Sequence, residues 1–121
     1  SMEHHKIKNS VIATAEQYKS YAIAINNANS ISNEESRIIS SQAADELLNV
    51  SGVKASFVIS SLGNQLNISA RSYGEVNVQL IMEKLGGGGH RTMAACQLKQ
   101  TDFNLAKKML INAIVQQEEE N

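Results

Sequence analysis

The sequence contains few of the residue types on which disulfide frameworks and metal sites depend. Cys96 is the only cysteine among 121 residues, which excludes an internal disulfide and a cysteine-rich zinc site and is typical of a reducing compartment. Asp45 and Asp102 are the only aspartates, and there are three histidines. A hydrolytic site with two metal ions needs more ligands than these. The sequence therefore predicts no metal site and no catalytic residue in this chain.

Excess charge and long apolar segments are absent as well. Eleven Lys and Arg against twelve Asp and Glu give a net charge of −1. No overall field attracts such a chain to a polyanion, so any contact with phosphate must be local. Polar residues interrupt every apolar run before it reaches the roughly 18–20 residues of a membrane-spanning helix. The length and the 42% of hydrophobic residues suit one domain with one sizeable core.

The two ends of the chain are predicted to lie outside this domain. Ser1-Met2 resembles the remnant of a cleaved expression tag, so we expect residues 1–9 to be a tag remnant or a disordered start, cut from a longer protein. Residues 118–121 are acidic, and we expect them to fray into solvent. The predicted domain is therefore residues 10–117.

Hydrophobic periodicity predicts the helices and strands of the domain. Ser32 opens a helix with the Ser-x-x-Glu pattern of a capping box, Gly63-Asn64 indicates a hairpin turn, and Asp102 opens the last helix. The predicted strands are 11–15, 21–25, 56–60, 66–71 and 93–98, and the predicted helices are 34–50, 78–85 and one after 102. Hairpin strands and a strand reached through a crossover predict an α/β fold of the α+β type, a mixed β-sheet with packed helices in a single domain.

Four consecutive glycines followed by a histidine form the most unusual segment. Gly86, Gly87, Gly88 and Gly89 are four of the seven glycines, and His90 follows them. Because each glycine costs roughly 0.5–1 kcal/mol of chain entropy, the run indicates conformations or close approaches that a Cβ would prevent. The segment can form a nest of N–H groups for phosphate, with His90 as a further donor, or it can be a flexible connector. It lacks the Gly-Lys-Ser/Thr ending of a nucleotide P-loop.

Other candidate residues lie on either side of the second predicted helix. Arg71 ends a strand and faces away from its apolar side, where it can bind phosphate with help from Ser69 and Ser72, or can be a solvated arginine. Asn77 either caps the next helix or presents its amide to a ligand. No base can be assigned beside Cys96, which argues against a nucleophile.

Three motifs, taken together, resemble a known module. They are Ile68-Ser69-Ala70-Arg71-Ser72, Gly74-Glu75-Val76-Asn77-Val78, and Gly86-Gly87-Gly88-Gly89-His90 followed by Ala94-Ala95. The combination is similar to the DHH-associated domain, the C-terminal half of DHH phosphoesterases, over about residues 11–114. Residues 42–48, 53–59 and 74–79 further resemble the membrane-bound cyclic-di-AMP phosphodiesterases of Gram-positive bacteria. Many relatives have Ala-Ala-Gly in place of Ala94-Ala95-Cys96, a departure that favours the cyclic-dinucleotide branch over the nuclease branch.

The resemblance implies a substrate-binding role within a larger enzyme. The parent in that family has two membrane helices, a PAS-like domain, a degenerate GGDEF domain and a DHH domain that holds two manganese ions and activates water. This chain would be the cytoplasmic, substrate-binding domain of a membrane-anchored phosphodiesterase that yields linear diadenylate, inactive without its DHH domain in cis. Arg71, Ser72 and residues 86–90 are the implied substrate contacts, and Asn77 is a further candidate.

Two alternatives remain open. The same domain can serve an exonuclease-like DHH enzyme that acts on short oligonucleotides, with most of the same contact surface. A similar terminal domain of alanyl-tRNA synthetases suggests RNA binding or a homodimer instead, although the balanced charge argues against RNA.

Overall fold

The computed structural model describes residues 1–121, which form four helices and one six-stranded sheet. The helices are α1 (Met2–Ala13), α2 (Asn33–Leu48), α3 (Val78–Lys84) and α4 (Phe103–Glu120). The strands are β1 (Glu16–Tyr18), β2 (Tyr21–Asn26), β3 (Ala55–Leu62), β4 (Gln65–Ser72), β5 (Gly88–Gly89) and β6 (Met93–Leu98). The predicted single domain of the α+β type is confirmed.

The sheet is mixed, as predicted. Its strand order is β1-β2-β3-β4-β6-β5, so the last two strands exchange places relative to the sequence. β2 and β3 are parallel and are connected through α2, whereas every other neighbouring pair is antiparallel. A parallel pair needs such a crossover, because a short turn can only reverse the chain. The crossover places α2 over the middle of the sheet.

Helices cover both faces of the sheet and bury two apolar cores. The larger core, of 18 buried residues, lies between the sheet and helices α3 and α4, and Phe57 and Ile68 are fully buried in it. The smaller core, of 10 buried residues, lies beneath α1 and α2 and includes Val58 and Ile39. Phe57 and Val58 are neighbours in β3 and enter opposite cores, because successive side chains of a strand point to opposite faces.

Helix α2 leaves the β6 side of its sheet face open. It packs on β2, β3 and β4. In β6, Ala94, Cys96 and Leu98 are buried against α3 and α4, whereas Met93, Ala95 and Gln97 are exposed on the face of α2. The open strip of sheet is a surface that solvent or a ligand can reach.

Side-chain caps begin three of the helices where the sequence predicted starts. The Ser32 hydroxyl accepts a hydrogen bond from the Glu35 N–H at 3.1 Å at the start of α2. The Asp102 carboxylate accepts from two N–H groups in the first turn of α4, at 2.9 and 3.2 Å. Asn77 caps α3 in the same manner. Such caps satisfy N–H groups that have no partner within the helix.

The strand predicted at residues 11–15 is wrong, because residues 11–13 complete helix α1 and Thr14 caps it. Val11 is buried in the smaller core, and Ile7, one turn earlier, packs against the same core. An ion pair of 3.1 Å between Lys8 and Glu46 also joins α1 to α2. A short apolar run suits either a strand or a buried helical turn, and here the packing against α2 selects the helix. The same helix includes residues 2–9, for which the sequence predicted a tag remnant or a disordered start.

Helix α4 continues to Glu120, through most of the residues 118–121 that the sequence predicted to fray into solvent. Glu118 accepts hydrogen bonds from the Lys19 ammonium at 3.1 Å and from the Tyr21 hydroxyl at 3.2 Å. Burial, followed by the charge of Glu118, raises the pKa of Tyr21 to about 12. Lys84, at the end of α3, forms a salt bridge with Glu120. Partners on distant elements thus hold the acidic turn in place, a feature that local composition does not reveal.

No helix in the chain combines the length and the apolar character needed to cross a membrane.

Candidate functional site

Arg71 lies near the end of β4 on the sheet face that α2 covers, away from the larger core. Its Nε donates a hydrogen bond to Asp45 Oδ1 at 3.1 Å, and its Nη1 donates to the Ala70 carbonyl at 2.9 Å. The side chain of Arg71 is 11% exposed and that of Asp45 is 61% exposed. A guanidinium has five N–H donors, so these two bonds leave three for other acceptors. Arg71 is therefore oriented by the fold, and a solvated arginine is excluded.

The hydroxyl of Ser72 forms hydrogen bonds within the turn between β4 and α3. Its hydroxyl donates to the Val76 carbonyl at 2.7 Å, lies 3.2 Å from the Arg91 carbonyl, and accepts from the Gly74 N–H at 3.2 Å. Its backbone N–H donates to the Thr92 carbonyl at 3.0 Å. A hydroxyl has one proton to donate, and here the turn uses it. Only one lone pair of the oxygen is left for a ligand.

The glycine segment packs directly against β6. A Cβ at Gly87 would lie 2.1 Å from the Ala95 carbonyl oxygen, and a Cβ at Gly89 would lie 2.6 Å from Ala94 Cα. Gly88 and Gly89 form β5, paired with Ala95 and Ala94. The close approach that the glycines predicted is confirmed at positions 87 and 89. The flexible-connector interpretation is wrong, because the segment adds a short strand to the sheet.

Backbone hydrogen bonds within the chain use several N–H groups of this segment. Gly86 and Gly87 donate to carbonyls near the end of α3 at 3.1 and 2.8 Å, and His90 donates to the Met93 carbonyl at 2.7 Å. A nest for phosphate needs N–H groups that are free and aimed at one point. The N–H groups of Gly86, Gly87 and His90 are therefore already used, whereas the side chain of His90 is exposed. Contact of residues 86–90 with a ligand stays a prediction.

The end of β4 and the turn after the glycine segment meet at one end of the sheet. Arg71 stands directly opposite Met93 in the β4–β6 pairing. Arg91 joins this turn to the start of α3, because its Nε donates to the Gly74 carbonyl at 2.6 Å and its carbonyl accepts from the Val78 N–H at 3.0 Å. The turn that carries His90 is thus held beside the β4 strand of Arg71, and together they bring cationic and donor groups to one region.

Two residues of this region, Asp45 and Arg91, were not predicted from the sequence. Asp45 was counted only as a scarce carboxylate, and its pairing with Arg71 spans 26 positions of the chain. Arg91 is an exposed cation directly after His90. Its position next to His90 is the sequence feature that could have identified it as a candidate. Local patterns do not predict contacts between elements so far apart in sequence.

Asn77 has the capping role that the sequence allowed. Its Oδ1 accepts a hydrogen bond from the Leu80 N–H at 3.3 Å at the start of α3. The amide nitrogen of Asn77 is not used by the cap. Any contact of Asn77 with a ligand stays a prediction.

Cys96 is buried in the larger core, and burial raises the pKa of its thiol from 9.0 to about 11. A rise of two units lowers the thiolate fraction about a hundredfold at pH 8. We therefore expect alkylation by iodoacetamide at pH 8 to be at least about a hundredfold slower in the folded chain than in urea. Mass spectrometry of timed samples measures both rates, and equal rates would contradict the burial of this thiol.

The same shift predicts how stability depends on pH. Because the folded thiol of Cys96 holds its proton more tightly than the unfolded one, its contribution to the free energy of unfolding is complete below pH 9 and is lost as the pH rises towards about 11. A Cys96→Ala variant lacks this component of the pH dependence. Urea titrations of both proteins across this pH range check the sign.

No group of three or more His, Cys, Asp or Glu side chains is arranged to hold a metal ion. The candidate region is cationic and polar instead. Arrangements of this kind bind anionic oxygens, with the guanidinium able to contact two oxygens at once.

A family model described as the DHHA1 domain matches residues 19–116. The cyclic-di-AMP phosphodiesterase PdeA of Listeria monocytogenes is 56% identical over 78 residues, which is 64% of this chain and 12% of that protein. The cyclic-di-AMP phosphodiesterase GdpP of Geobacillus thermodenitrificans is 54% identical over 79 residues, again 64% of this chain and 12% of that protein. The chain thus spans about an eighth of the length of these relatives.

Among solved structures, an exopolyphosphatase-related protein from Bacteroides fragilis superposes with a TM-score of 0.79. The superposition covers 96% of this chain and 35% of that protein, at 21% identity. At this identity the likeness shows the fold alone. The family match, which covers β2 to β6 and most of α4, carries the assignment. The chain belongs to the DHHA1 domain family of DHH phosphoesterases.

Proposed function

We propose that this domain forms one side of the substrate-binding site of a phosphodiesterase that hydrolyses cyclic-di-AMP to linear diadenylate. The observation that carries the proposal is the buried guanidinium of Arg71, which Asp45 orients while three of its N–H donors stay free of the contacts described above. The relatives that match over 64% of this chain are named cyclic-di-AMP phosphodiesterases, which supports the choice of substrate.

The chemistry of the region suits a ligand with few charges. A cyclic dinucleotide carries two phosphate groups, so one or two well-placed cations can hold it, and the chain's net charge of −1 is no obstacle. Arg71 would contact phosphate oxygens as a planar fork, and the exposed side chains of His90 and Arg91 would add donors beside it. Binding to this side of the site would position the phosphodiester for attack by water.

Catalysis is assigned to a DHH domain that adjoins this one in the same polypeptide. Two manganese ions held there would activate the attacking water. We therefore expect the isolated domain to bind without turnover. The proposal places the domain on the cytoplasmic side of a membrane-anchored parent. Homodimer formation is a separate prediction that an analysis of oligomeric state would test.

The proposal is tested by titrating the isotopically labelled chain with cyclic-di-AMP and, separately, with linear diadenylate, followed by NMR. We expect the largest shifts at Arg71, His90 and Arg91, and stronger binding of the cyclic ligand. His90→Ala should weaken binding several-fold, because a donor at the phosphate is lost. His5→Ala, which removes an exposed histidine at the far end of the chain, is the matched control and should leave binding unchanged.

Three results would contradict the proposal in different ways. Stronger binding of linear diadenylate would favour the alternative in which the domain serves an exonuclease for short oligonucleotides. Salt-sensitive binding of tRNA, without a response to either dinucleotide, would favour the RNA-binding alternative. Metal-dependent cleavage by the isolated domain would show that its residues are catalytic.

A further inference from the structure

A polar cleft lies on the open part of the sheet, beside the β6 strand that α2 does not cover. Its volume is about 430 Å³, within the range of roughly 300–1,000 Å³ that is usual for small-molecule sites. It adjoins the glycine segment at Gly87. Five further lining residues are Gln65, Asn67, Ala95, Gln97 and Lys99. Apart from the glycine segment, none of these residues is among the substrate contacts that the sequence predicted.

The register of β4 and β6 builds this cleft. Asn67 stands opposite Gln97, and Ser69 stands opposite Ala95, so these side chains point to the same face of the sheet. Ala95 and Gln97 are exposed there, whereas Asn67 and Ser69 are buried. The side chain at Ala95 is a single methyl group, which leaves a flat area between the amides of the neighbouring positions. The Asn67 Nδ2 donates to the Ser69 hydroxyl at 3.3 Å, an interaction that orients the Asn67 amide.

The chemistry of the lining is that of base recognition. Three side-chain carboxamides, those of Gln65, Asn67 and Gln97, line the cleft together with the ammonium of Lys99, and no carboxylate lies among the lining residues. A carboxamide presents one acceptor and a pair of donors in a plane, and it can pair with the N6 and N7 atoms of adenine through two hydrogen bonds. An ammonium next to it can neutralise a phosphate.

We propose that this cleft binds an adenine base, with the Gln97 amide on the edge of the base, Ala95 beneath the ring and Lys99 close to the attached phosphate. The inference rests on the proposed function for its dinucleotide ligand and adds a base subsite to it. Arg71 lies four positions after Asn67 along β4, a distance of about 13 Å at 3.3 Å per residue. One dinucleotide can therefore place a base in the cleft and a phosphate at Arg71.

The test is a titration of the labelled chain with AMP, GMP and cyclic-di-AMP, observed at the side-chain amide signals of Asn67 and Gln97 and at backbone signals. We expect AMP to shift both amide signals and to bind several-fold more tightly than GMP. Gln97→Met should weaken AMP binding about tenfold, because it removes both hydrogen bonds of one bidentate contact with the base. Gln97 is exposed, so this variant should fold normally.

Two further variants separate the base contact from general effects. Gln116→Met changes another exposed glutamine, on α4, and should leave AMP binding unchanged. Ala95→Val adds two methyl groups to the floor of the cleft and should therefore weaken AMP binding. Valine is favoured in strands, so we expect this variant to fold.

The outcomes distinguish this inference from the proposed function. Shifts by cyclic-di-AMP at Arg71 and His90, without any change at Asn67 and Gln97, would overturn the base subsite and leave the proposed function standing. Shifts by AMP in the cleft, with no response to cyclic-di-AMP at Arg71, would support the base subsite and contradict the proposed substrate. Equal binding of AMP and GMP, or no response at millimolar nucleotide, would overturn the adenine assignment.

Discussion

Gly87→Ala is expected to lower the free energy of unfolding by about 3 kcal/mol, the upper end of the range for overpacking. The added Cβ would lie 2.1 Å from the Ala95 carbonyl oxygen and 2.7 Å from Cys96 Cα. Both are backbone atoms of β6, so no flexible side chain can move aside to relieve the clash. Either β5 must separate from β6 or the end of α3 must shift. Urea unfolding monitored by circular dichroism measures the loss.

Gly88→Ala is the matched control one residue away. A Cβ at Gly88 would meet no atom within 4 Å, and the φ angle of Gly88 lies outside the left-handed region. Replacing a glycine in a compatible conformation restricts the unfolded chain and stabilises by about 0.4–1 kcal/mol. We therefore expect this substitution to be neutral or slightly stabilising.

The comparison of the two variants tests the role of the glycine segment directly. A large loss of stability for Gly87→Ala alone is the result expected from a close approach between the glycine segment and β6. Equally small effects of both substitutions would contradict the packing described here and would restore the interpretation of a flexible connector.

Arg71→Ala is expected to reduce the affinity for cyclic-di-AMP more than tenfold, because hydrogen bonds to charged groups contribute about 1.5–3 kcal/mol. Its effect on stability should be smaller, since the carboxylate of Asp45 is 61% exposed and water can replace the lost partner. Isothermal titration calorimetry measures the affinity, and thermal unfolding of the same sample measures the stability.

Two variants define what Arg71 contributes. Arg71→Lys keeps the positive charge and loses the planar fork, so we expect an affinity between those of the wild type and of Arg71→Ala. Arg37→Ala removes an exposed arginine on α2 and is the matched control for charge. If Arg71→Ala lowers stability and leaves affinity unchanged, the residue has only a structural ion pair with Asp45, and the proposed phosphate contact is wrong.

Much of the fold could be predicted from local patterns. Side-chain caps at Ser32, Asn77 and Asp102 begin α2, α3 and α4, because a short polar side chain satisfies N–H groups only a few positions ahead of it. The alternation along β4 placed Arg71 on the opposite face from the apolar residues, because a strand repeats every two residues. The glycine run indicated a close approach, because only a residue without a Cβ tolerates one.

The contacts between distant elements could not be predicted in this way. Packing against α2 makes residues 11–13 helical, and the contacts of Glu118 with Lys19 and Tyr21 help to hold the end of α4. Asp45 reaches Arg71 from another element, and the amide cleft exists only because β4 and β6 are neighbours in the sheet. Propensity, capping and periodicity act over one or two turns of chain, so they specify elements and the faces of elements. Which faces pack against each other depends on the apolar area that the whole domain buries. That total area is determined only by the tertiary structure.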